Sequence, residues 1–103
     1  MKIYKDKELT IEVDNELDLG IVDAGKSKTY KYYIVNETSN DLVDLVVSTV
    51  SSELEIIQYP IQIKAHGSSE IILKWTPSIT IKKGLKASLV FKASEIIKPF
   101  GNN

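Results

Sequence analysis

The sequence has no cysteine and no arginine, one histidine, one tryptophan and three prolines in 103 residues. Without cysteine there are no disulfide staples, thiolate metal sites or cysteine nucleophiles, and no oxidising compartment is implied. Without arginine the chain lacks the planar fork that makes bidentate contacts to phosphate or guanine. The net charge of −1 supplies no field to draw nucleic acid or an acidic membrane, so neither is expected as a partner. No apolar run approaches the ~20 residues that span a bilayer. The opening MKIYKDKELT has no apolar core of the kind a secretion signal needs. The expected location is therefore cytoplasmic, or a virion if the source is viral, and not secreted. Asn36-Glu37-Thr38 is formally a glycosylation acceptor, expected to stay unused for want of that signal.

What is present is a period of two. Leu9, Ile11 and Val13 alternate with Glu8, Thr10 and Glu12, Leu17, Leu19 and Ile21 with Asp18 and Gly20, and Tyr30, Tyr32 and Ile34 with Lys31, Tyr33 and Val35. Ile71, Leu73 and Trp75 repeat the pattern, and so do Ala87, Leu89 and Phe91. Short alternating runs rich in β-branched and aromatic residues read as half-buried strands. Turn signals separate them: Asp14-Asn15, Asp23-Ala24-Gly25, Asn36 to Asp41, Ser51-Ser52, Tyr59-Pro60, His66-Gly67-Ser68 and Lys83-Gly84. The pattern predicts strands over 7–13, 17–22, 28–36, 42–50, 53–58, 61–65, 69–76 and 86–93. That is an all-β antiparallel sandwich of about seven or eight strands, occupying residues 1–93. Trp75, Leu73, Tyr32, Ile34, Leu89 and Phe91 are the expected core. Residues 94–103 are left as an apolar C-terminal tail.

The stretch LDLGIVDAGKSKTYKYYIVNET, residues 17 to 38, illustrates the logic. Gly25 after Asp23-Ala24 reads as a turn glycine with positive φ. A phosphate-cradling loop needs more glycines and a following helix. Asn36 closes the strand and can bond local backbone in the turn after it. The same stretch resembles the immunoglobulin-like superfamily that includes the major sperm protein and the ASPM–SPD-2–Hydin domains. The matching residues are Leu19, Gly20, Val22, Gly25, the strand to Val35, and Asn36, followed later by Gly67, Trp75-Thr76-Pro77, Gly84 and Leu89-Val90-Phe91. Leu19 stands where phenylalanine is common, and no lysine cluster is placed for a phosphorylated motif. The resemblance implies an immunoglobulin-like sandwich serving as an adaptor, filament subunit or structural appendage.

Little in the chain points to chemistry. His66 lies in a turn with no visible partner for catalysis or metal binding. Asp14, Glu16 and Asp18 alternate as calcium ligands would, but acidic residues at a strand entry are usually solvated, and no EF-hand loop accompanies them. No Gly-x-Ser-x-Gly elbow is present. No catalytic residue, cofactor or metal is expected, and the chain is not read as an enzyme. Accessory sugar binding would want exposed planar aromatics, for which Tyr33 and Tyr59 are the outward candidates.

Apolar residues outside the alternating runs are the remaining signal. Ile96, Ile97 and Phe100 follow the last expected strand, and Ile79 and Ile81 sit between Pro77 and Lys83. These five are the expected partner-binding residues, with the alternatives that the tail folds back on its own sandwich and that 77–83 is an edge strand. The function expected is a non-catalytic structural or interaction module. Its first setting is a virion, for example as a capsid decoration subunit bound to capsid protein. The other setting is a cytoplasmic adaptor binding a protein or peptide at a sheet edge.

Overall fold

The computed structural model describes residues 1–79 and 86–97. Its strands are β1 (Lys2–Tyr4), β2 (Glu12–Val13), β3 (Glu16–Asp18), β4 (Lys28–Val35), β5 (Asp41–Thr49), β6 (Leu54–Gln58), β7 (Ser68–Trp75) and β8 (Lys86–Ile96). All pairings are antiparallel, and no helix occurs among the described residues. One sheet has five strands in the order β2-β1-β4-β7-β6, and the other has three in the order β3-β8-β5. The fold is the all-β sandwich that the period of two predicts.

Alternation decides which side chains meet between the sheets. β4 sends Tyr32 and Ile34 inward, β7 sends Ile71, Leu73 and Trp75, β5 sends Leu45 and Val47, and β8 sends Ala87 and Leu89. Five of the six expected core residues are buried. Phe91 is only half-buried, because the space beside it is an open groove and not a covering strand. The half-buried Tyr30 donates its hydroxyl to the Leu19 carbonyl at 2.6 Å, tying β4 to the loop after β3. Burial pushes the phenols of Tyr30 and Tyr32 above their ordinary range.

Of the strand expected over 7–13 only its end forms, as β2. The residues before Glu12 instead close a loop joining β1 to β2, with Leu9 at φ 61°. The Asp6 carboxylate explains this. It accepts from the amides of Thr10 (3.0 Å) and Ile11 (2.8 Å) and from the Thr10 hydroxyl, so the backbone donors a ladder would use are already taken. The segment 17–22 keeps a ladder only to Asp18, and 61–65 contributes a single bridge, Ile63 to Leu42. Gly25 has φ 78°, as its turn requires, and its amide donates to the Pro77 carbonyl at 2.8 Å.

Two features of the smaller sheet matter below. β8 continues through Ser94, Glu95 and Ile96, which pair with Val43, Leu42 and Asp41, so the strand runs past the boundary expected at residue 93. In β5 the register shifts between Val43 and Val46, leaving Asp44 and Leu45 together opposite Ala93. This is a β-bulge, with Asp44 at φ 53°.

The bonds to Asp6, its Thr10 hydroxyl bond first, hold its carboxyl below the ordinary value of 3.8. A folded-state pKa below the unfolded one contributes stability that is present above the unfolded value and lost as pH falls through the folded one. Asp6→Asn is therefore expected to flatten the decline of Tm below about pH 4. Parallel Tm–pH curves for the two proteins would show that Asp6 is not linked to folding.

Candidate interaction surface

The expected partner residues are not gathered in one place. Ile96 is 50% exposed and Ile97 72% exposed, at the free end of β8. Ile79 is 65% exposed, but it follows Pro77 at the opposite end of the sandwich, near Gly25 and Trp75. Ile81 and Phe100 lie outside the described residues. Among the described residues, Ile79 thus stands apart from Ile96 and Ile97, as a second patch.

The surroundings of Ile96 and Ile97 are set by how far β3 reaches. β3 pairs with β8 only at Lys86, Ala87 and Ser88, and a last bond runs from the Leu89 amide to the Asn15 carbonyl at 2.9 Å. From Val90 onward that edge of β8 has no neighbouring strand among the described residues. Two grooves lie along it. One of about 480 Å³ is lined by Ile3, Val13, Leu89 and Phe91 among others. The second, about 250 Å³, includes Phe91, Ala93, Leu42 and Thr38. Met1 and Phe91 line both. The rim is charged: the terminal amine approaches Glu37 at 3.9 Å, and Lys2 approaches Glu37 at 3.7 Å and Glu12 at 4.0 Å. At the far end Asn40 donates to the Glu95 carboxylate at 2.8 Å, holding the β8 terminus against the 36–40 turn.

Elsewhere the candidates for chemistry stay apart. His66 is exposed in its turn at φ 55°, its amide bonded to the Thr38 carbonyl. Asp14, Glu16 and Asp18 are solvated, and no group of three His, Asp or Glu side chains converges to hold a metal among the described residues. Of the two outward tyrosines, Tyr59 packs against the core. Tyr33 remains half-exposed in a shallow recess beside Lys7, Lys31 and Glu70. Glu53 is held below its ordinary range by the Ser78 hydroxyl and then by the Ser78 amide, which donates at 2.9 Å. The Trp75 indole N–H is buried and reaches no partner within bonding geometry. The Trp75 side chain makes the smallest of the contributions that act on the Glu53 carboxyl, and it too lowers its pKa.

The open edge was not legible in the sequence. Its existence depends on β3 being three residues long beside a β8 of eleven, a mismatch no local pattern encodes. No protein-family model matches this chain, and no curated protein and no solved structure matches it either.

Proposed function

We propose that this chain is a non-catalytic interaction module of the immunoglobulin-like type, a subunit that joins a larger protein assembly through the edge of β8 that, from Val90 onward, has no neighbouring strand among the described residues. The observation that carries the reading is the coincidence of exposed apolar side chains, Ile96 and Ile97, with a backbone edge that no strand among the described residues pairs. An open edge offers main-chain hydrogen bonds, and apolar side chains beside it offer burial. Leaving each isoleucine in water forgoes about 1.5–3 kcal/mol. Charged groups at Lys2, Glu12 and Glu37 form a polar rim of the kind that surrounds an apolar contact.

A repeated particle such as a virion is the assembly proposed, with the cytoplasmic adaptor as the other outcome of the same test. Ile96→Asp/Ile97→Asp is compared with the wild-type chain in particles purified from the source and counted by quantitative mass spectrometry. The double variant is expected to melt within about 2 °C of the wild type, since both side chains are exposed, yet to be lost from the particle. Full incorporation of the folded double variant would overturn the reading. Absence of the wild-type chain from any particle, with retention by a soluble partner, would favour the adaptor.

A further inference from the structure

Leu89 marks where the edge opens. Its amide points sideways to Asn15, and in a pleated strand that direction alternates. The peptide groups of Phe91, Ala93 and Glu95 therefore point the same way. The extra residue of the bulge lies on β5, so β8 itself keeps its alternation. Their side chains face the grooves, while those of Val90, Lys92, Ser94 and Ile96 face outward.

Resting on the reading of this edge as an interaction surface, we infer that its partner is the same edge of a second copy, paired antiparallel about a two-fold axis centred on Ser94. In such a pairing, residues whose numbers share a constant sum lie opposite one another. Because both strands present the same edge, with odd-numbered peptide groups outward, the sum is even and one residue faces its own copy. Centring on Lys92 sets two ammonium groups directly opposite, and centring on Glu95 does the same with two carboxylates; both are unfavourable. Centring on Ala93 sets Ile97 against Leu89, whose outward amide Asn15 already holds, and places Glu95 against Phe91. Centres nearer Leu89 run into β3, and those beyond Glu95 leave few pairs among the described residues.

Among the described residues the Ser94 centre has none of these conflicts. Phe91 faces Ile97 of the second copy, Ala93 faces Glu95, and Lys92 faces Ile96. Ile97 enters beside the groove that Ile3, Val13, Leu89 and Phe91 line, covering the half-exposed Phe91 and its own 72% exposed side chain. The two Lys92 residues stand four positions apart along the ribbon, ~14 Å by the rise of a strand. Each β3 covers only Lys86–Ser88 of its own β8, so neither β3 lies against the paired segment.

The chain's lack of cysteine permits a test of register as well as of association. Ser94 facing Ser94 is a pair without mutual hydrogen bonds, whose Cα atoms stand ~4.5 Å apart, within disulfide reach. Purified Ser94→Cys is expected to form a covalent dimer under mild oxidation at least tenfold faster than Lys92→Cys. The wild type should sediment as a reversible dimer. Ala93→Pro removes an outward donor that β5 does not use, and it is expected to sediment as a monomer with an unchanged circular dichroism spectrum. A wild type that stays monomeric across the dilution series, with Ser94→Cys no faster than Lys92→Cys, would overturn the inference. So would a dimer that Ser94→Cys fails to trap, since it uses another surface. Either result leaves the particle reading standing if Ile96→Asp/Ile97→Asp still prevents incorporation. That reading fails separately if the double variant is incorporated fully.

Discussion

Asn36→Ala is expected to lose about 3 kcal/mol of stability and roughly 15 °C of Tm, a large effect for a side chain outside the apolar core. Asn36 is fully buried at the end of β4. Its side-chain amide donates to the carbonyls of Asn40 (2.8 Å), Ile63 (3.1 Å) and Lys64 (3.1 Å). Its oxygen accepts from the Thr38 amide at 3.0 Å and the Thr38 hydroxyl at 2.8 Å. One side chain thus clamps the 36–40 turn to the segment that bridges β5 at Ile63. Truncation leaves several backbone groups without partners, and the desolvation of each is felt in full. Asn36→Asp tests the mechanism by sign. It turns donors into acceptors facing three carbonyls, so it should melt lower at pH 7 than at pH 4, where the acid regains a donor. Wild-type melting of either variant by circular dichroism would remove the clamp from the account. The same geometry closes the sequon in the folded chain, because the nitrogen a glycan would occupy is buried and bonded.

Trp75→Ala is expected to cost roughly 3–5 kcal/mol, enough to unfold a domain of marginal stability at ambient temperature. The side chain is 0% exposed and ends β7, opposite Lys28 in β4 and Leu54 in β6. Its removal opens a cavity where two strands converge, and rigid sheets do not collapse to fill such a space. The unpartnered indole N–H gives a second measurement. Trp75→Phe loses volume but also removes a buried donor without a bond, so it should cost less than half as much as alanine. Chemical denaturation of the three proteins separates these terms. An alanine variant with the wild-type midpoint would mean that Trp75 does not pack as described.

Much of the sandwich was visible as alternation, and its failures have a common cause. β4, β5, β6 and β7 fall within about a residue of the expected spans, because each puts large side chains between two sheets and period two records that. Leu9, Ile11 and Val13 alternate equally well, yet Asp6 captures the amides of Thr10 and Ile11 and turns the residues before Glu12 into a loop. A side chain competing for backbone donors leaves no trace in hydropathy. β1 was missed for the opposite reason: it is three residues long with one buried side chain, Ile3. The candidate surface was half legible. Exposed isoleucines after the last expected strand are readable, whereas the unpaired edge beside them depends on which strands become neighbours.

The bulge in β5 bears on how this chain tolerates changes of length. Val43 pairs with Ser94 before it and Val46 with Lys92 after it. Asp44 is the exposed member of the two residues facing Ala93. Excising Asp44 alone closes the irregularity: Leu45 then faces Ala93, every other partner keeps its place, and inward residues stay inward. A single-residue deletion elsewhere in β5 shifts the face of the residues between it and the bulge. Position 44 is thus the point in this strand where a gap belongs when shorter versions of the domain are aligned with it, and where a designer can remove a residue without recoding the sheet. The expected effect is on curvature, since a regular ladder twists less than a bulged one.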